Sequence, residues 1–126
     1  MKLNQNVLAL LLPCLITGCT TTITNLTPAQ QKRSPTGLYP VEVNLDTRRQ
    51  AMMEETIKPA VIVGFDVYPM QPTTMLSNRW ETLVPVPADK SNIYYRFKFE
   101  YLVRRIPQAR PESLRSPEYK LEIVDK

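Results

Sequence analysis

Histidine is absent from this 126-residue chain, and glycine, cysteine and tryptophan are scarce, at three, two and one residues. Without histidine there is no ordinary general base, no Ser-His or Cys-His nucleophile, and none of the commonest metal ligand. With so few glycines, no phosphate loop or dinucleotide fingerprint can be written into the chain. Paired carboxylates are the remaining route to hydrolysis. Glu54 and Glu55 are adjacent and point apart on a helix or a strand, and nothing in the sequence brings Asp66 and Glu81 together. These acids read as solvated charges or ion-pair partners. The chain is therefore expected to be no enzyme and to hold no metal and no cofactor.

A long hydrophobic run is missing near the N-terminus as well. Residues 7–16, V-L-A-L-L-L-P-C-L-I, carry no charge but number only ten, whereas a spanning helix needs about 20 apolar residues. Lys2 is the only charge before Lys32, and small residues close the run. A charged start, a short apolar core and a small-residue end describe a secretory signal. Pro13 within the run, and Thr20, Thr21 and Thr22 after it, argue against a buried core helix.

The run ends Ile16-Thr17-Gly18-Cys19, which resembles the lipobox of bacterial lipoprotein precursors: aliphatic, small, Gly or Ala, then Cys. The resemblance implies cleavage between Gly18 and Cys19, a diacylglyceryl thioether on Cys19, and acylation of its new amine. The chemistry suits the residues, because a thiolate is the nucleophile a thioether requires. Residues 1–18 would be the signal, and Cys14 would leave with it. Cys19 would then be the only cysteine and blocked by lipid, leaving no disulfide and no thiol chemistry. In enterobacterial precursors an Asp directly after the cysteine favours the inner membrane. Thr20 stands there instead, which implies the outer membrane, facing either periplasm or cell surface.

Residues 20–36, T-T-T-I-T-N-L-T-P-A-Q-Q-K-R-S-P-T, hold only Ile23 and Leu26 as sizeable apolar groups. Composition predicts that 19–36 is a lipidated cysteine followed by a flexible tether, about 55 Å long when stretched and nearer 25 Å as a coil. Asn25-Leu26-Thr27 matches a glycosylation sequon that is expected to be accidental. Residues 37–126 suffice for one small domain.

The clearest element is 91–105, S-N-I-Y-Y-R-F-K-F-E-Y-L-V-R-R. Ile93, Tyr95, Phe97, Phe99, Tyr101 and Val103 share one face, the period-two signature of a half-buried strand with an aromatic core side. Residues 38–45 and 119–124 alternate in the same way. Residues 80–86 predict a short strand, and 60–68, A-V-I-V-G-F-D-V-Y, a central one with a bulge or a close backbone approach at Gly64. Asp46 could cap a helix over 46–58 that Pro59 ends. The whole predicts a mainly β fold: a small antiparallel two-sheet sandwich with one short helix. The run R-W-E-T-L-V-P-V-P-A-D-K-S-N-I-Y-Y-R-F-K-F, residues 79–99, is similar in pattern to immunoglobulin-like early-set domains, starch-binding modules among them.

Two features invite a functional reading. Trp80 is either a stacking platform for sugar or an anchor between the sheets, and the lack of a second exposed aromatic favours the anchor. Arg104, Arg105, Arg110 and Arg115 face only Glu112 within 104–115, a Pro-bearing stretch predicted as the loop between the last two strands. These arginines could meet lipid phosphates, lipopolysaccharide or an acidic partner, or simply solubilise the loop. Beyond Lys2, fifteen Lys and Arg stand against twelve Asp and Glu. An exported, membrane-tethered chain has no use for nucleic acid. The expectation is a non-enzymatic, lipid-anchored accessory or assembly component of an envelope complex, meeting membrane lipid through Cys19 and an envelope protein through its domain. The alternative is a surface-exposed glycan-binding or adhesion module.

Overall fold

The computed structural model describes residues 21–125; the signal-like segment, the lipobox and Cys19 lie outside the described residues. Ten strands form two sheets: β1 (Thr22–Asn25), β2 (Gln30–Lys32), β3 (Leu38–Asp46), β4 (Met52–Val63), β5 (Asp66–Pro69), β6 (Gln71–Pro72), β7 (Arg79–Pro85), β8 (Asn92–Val103), β9 (Arg110–Arg115) and β10 (Tyr119–Val124). One sheet has the order β1-β3-β7-β6. The other has the order β2-β10-β8-β4-β5, with β9 also paired to β8. The small β-sandwich expected from the alternation is present.

Alternation sets the core. On β8, Ile93, Tyr95, Phe97, Phe99, Tyr101 and Val103 are all buried, and they meet Tyr39, Val41, Val43 and Leu45 of β3 across the interior. Aromatic edges interlock there. Phe99 meets Trp80 of the opposite sheet at 5.9 Å and 66°, and Phe97 meets Tyr95 at 5.7 Å and 84°. Ser116 is the one buried polar residue among the described residues: its Oγ accepts from Phe97 N at 2.7 Å and donates to Pro117 O at 2.8 Å. Its hydroxyl thus satisfies a backbone donor where β9 gives way to β10 along the same side of β8.

Four expectations are corrected. The helix over 46–58 does not form, and no helix occurs among the described residues. Residues 52–58 instead open β4, because the second half of β8 needs a partner for its backbone. The good helix formers Met52, Met53, Glu54 and Glu55 are overruled by that tertiary demand. The fit is imperfect: between the pairs Met53–Leu102 and Lys58–Glu100, β4 carries three residues more than β8. Thr56 bridges the bulge, its Oγ1 donating to Met53 O at 2.6 Å and accepting from Leu102 N at 2.9 Å.

The run 60–68 is not one central strand. Val63 pairs with Asp66, and Gly64-Phe65 is a two-residue hairpin loop with Gly64 at φ +61°, the conformation that glycine supplies at the first position of a type II′ turn. Residues 104–115 are likewise not all loop, since 110–115 form β9.

The flexible tether over 20–36 is replaced, from residue 21 on, by structure. β1 pairs antiparallel with β3, and β2 pairs parallel with β10, so the sheets are not wholly antiparallel and residues before 37 belong to the folded domain. The segment covers one flank of the sandwich by crossing from one sheet to the other. β5 and β6 do the same on the opposite flank, with Met70 buried at the switch. Edge strands left bare would recruit other chains. Asn25, the sequon residue, is a structural tie here: Nδ2 donates to Tyr95 Oη at 2.8 Å, and Oδ1 accepts from Thr27 N at 3.0 Å.

Candidate functional site

The strand directions divide the sandwich into two ends. Thr22 pairs with Asp46, Met52 pairs with Val103, and Val103 pairs with Arg110. The start of β1, the loops 47–51 and 104–109 and the start of β9 therefore gather at one end. Leu45 N donates to Asn78 O at 2.9 Å, which adds the loop 73–78. The Gly64-Phe65 hairpin and the loop 87–91 lie at the other end.

Arginines concentrate at the first end. Arg104 N donates to Ala51 O at 2.7 Å, joining the two arginine-bearing loops, so Arg48 and Arg49 come beside Arg104 and Arg105. Arg49 grips Glu112 with both guanidinium nitrogens, at 2.7 and 3.2 Å. That hydrogen-bonded fork holds the Glu112 carboxyl below its usual range, the nearby charges of Arg105 and Arg110 add to the effect, and partial burial opposes it. Arg48, Arg104, Arg105 and Arg110 form no ion pair among the described residues. Arg115 is elsewhere. It sits at the far end of β9 opposite Lys98, five residues and roughly 17 Å along the strand from Arg110.

The four arginines singled out in the sequence thus separate into three and one, and the three acquire Arg48 and Arg49. The missed pair was hidden by its placement on a helix. The signal that could have found it is the repeated Arg-Arg doublet at 48–49 and 104–105.

Glu112 sets a pH dependence. Because its folded-state pKa is depressed, the pair stabilises the fold above the ordinary carboxylate range and loses that effect as pH falls through the lower, folded value. Glu112→Gln is expected to melt slightly below wild type at neutral pH and together with it in strong acid. Melting curves across that range check this, and a difference that persists in acid would contradict the pairing.

Trp80 lies on β7 opposite Val43 and Pro72, half-buried against the core with its ring angled at Phe99. At the other end of the sandwich, Phe65 is fully exposed and Val67 is 57% exposed. The β4 bulge leaves an open cleft of about 650 Å³ lined by Glu55, Thr56, Lys58, Glu100 and Ser113, on the outer face of the larger sheet. Acid and base alternate along it, and Lys98 Nζ meets Glu100 Oε1 at 2.8 Å. Among the described residues no group of three or more His, Cys, Asp or Glu is arranged to hold a metal. No protein-family model matches the chain, and no curated protein matches it either.

Proposed function

We propose that the chain is an envelope lipoprotein, anchored in the outer membrane through lipid on Cys19, that acts without catalysis as an accessory or assembly component by holding a protein partner near the bilayer. Anchoring confines the domain to a thin shell, so even a weak contact operates at high local concentration. The observation that supports a protein contact is Phe65. A wholly exposed aromatic at the tip of a tight hairpin, with Val67 beside it, has the character of an interface anchor: large apolar area presented at little entropy cost. It sits at the end of the sandwich away from residue 21, where an anchored domain would reach a neighbour.

Trp80 does less for the glycan-binding reading, since part of its face is taken up by Phe99 and the core. The test is a photo-crosslinking residue placed at 65 in the full-length protein in cells, with position 83 on the outer face of the smaller sheet as control. Position 65 is expected to trap one discrete protein and position 83 none. Glycan adducts alone would favour the adhesion module, and an absence of any adduct at 65 would remove Phe65 as a contact.

A further inference from the structure

The arginine-rich end carries an inference that rests on the lipidation of Cys19. Only Thr20 separates that cysteine from Thr21, and two peptide steps span at most about 7 Å. Thr21 is held at this end, its Oγ1 lying 3.0 Å from Thr47 Oγ1. With no tether after residue 21, an anchored domain cannot stand clear of the headgroups. This end is the one brought nearest to them.

Its chemistry fits that position. Arg48, Arg104, Arg105 and Arg110 are exposed and without ion-pair partners among the described residues. Ile106 is 98% exposed between Arg105 and Pro107, and on the adjoining loop Met75 is 97% and Leu76 47% exposed. The acids nearby are Asp46, Glu54, Glu55 and Glu112, the last already claimed by Arg49. Bulky apolar tips among guanidiniums are the composition of a surface that rests in a bilayer interface, with cations at the phosphates and side chains among the upper acyl carbons. Forked guanidinium donors match phosphate oxygens.

We propose that the end formed by the loops 47–51, 73–78 and 104–109 docks on an anionic phospholipid surface, with Arg48, Arg104, Arg105 and Arg110 on headgroup phosphates and Ile106 inserted beside them. The domain then lies in a fixed orientation on its anchor, with the Gly64-Phe65 hairpin pointing away from the membrane.

The test uses the processed, lipidated protein in vesicles of equal parts phosphatidylglycerol and phosphatidylcholine, or of phosphatidylcholine alone. A fluorophore is attached at Ile106→Cys or at Phe65→Cys, and quenching by headgroup-spin-labelled lipid is read. Intact mass reports the acyl groups on Cys19 independently. The expected result is strong quenching at 106 and little at 65 in anionic vesicles. Quenching at 106 should fall towards that at 65 in phosphatidylcholine alone, in concentrated salt, and on replacing the four arginines with glutamine. Each arginine near an anionic surface is worth roughly fivefold in binding, so the quadruple replacement is expected to weaken docking on the order of several hundredfold.

Equal quenching at 106 and 65 on a protein whose Cys19 is acylated would overturn the docking and leave the anchor standing. A Cys19 without acyl mass would overturn both. Quenching at 106 insensitive to lipid charge, salt and arginine content would also defeat the proposal. So would a crosslinker at 106 that traps an acidic protein in cells, which would make this end a partner interface instead.

Discussion

Phe97→Ala is expected to destabilise the domain by about 3–5 kcal/mol, and Phe99→Ala by a similar amount. Both rings are wholly buried. Phe97 packs against Tyr95 and against Tyr119 at 5.9 Å, and Phe99 against Trp80 across the sheets. Truncation removes the transfer free energy of the ring and leaves a cavity that two stiff sheets cannot close. The domain is small, and folded domains are stable by only about 5–15 kcal/mol in total, so either change consumes a large share. Urea unfolding followed by Trp80 fluorescence measures it. Tyr94 is the internal control. It sits on the opposite face of the same strand, 51% exposed, and its replacement should move the midpoint far less. Equal midpoints for the Phe97 and Tyr94 variants would mean the strand is turned inside out.

Cys19→Ser is expected to abolish anchoring altogether. A serine hydroxyl cannot replace the thiolate in forming the thioether, so the variant should keep residues 1–18 and gain no acyl mass. The loss would be large because each buried methylene contributes about 0.8 kcal/mol and two or three chains on Cys19 would act together. Intact mass and membrane fractionation provide the readout, and normal processing of the serine variant would sink the lipobox reading. The short link to Thr21 sharpens the prediction. The wild-type domain should resist a protease acting within residues 22–36, where a flexible tether would be cut.

What could be seen in the sequence was whatever alternation alone decides. β8, β3 and β10 each carry apolar residues at every second position, and their one-sided burial follows from that pattern without help from the rest of the fold. β1 and β2 were invisible for the opposite reason. Thr22–Asn25 and Gln30–Lys32 bury little, and their order comes from hydrogen bonds to the edges of β3 and β10, which composition cannot report. The first half of β4 was misread because Met, Glu and Thr-Ile-Lys carry no strong period, and the backbone of β8 opposite them settles the matter. Gly64 stood in an apolar run that fits a bulge and a turn equally well; only the return of Asp66 to Val63 distinguishes them. Pro111 hid β9, although a proline is tolerated in a short strand at the edge of a sheet. At the arginine-rich end the same limit applied. Arg104, Arg105 and Arg110 are near one another in the chain, whereas Arg48 and Arg49 reach them only through the meeting of two loops.

The parallel pairing of β2 with β10 bears on when the molecule can finish folding. Gln30–Lys32 find their partners in Glu122–Val124, and Arg33 reinforces the closure through its Nε on Asp125 at 2.7 Å. Some ninety residues separate the two sides, so this contact is among the slowest to form and is gained only after the rest of the chain has been supplied. In a chain delivered end-first, the flank next to β10 stays open until Val124 arrives.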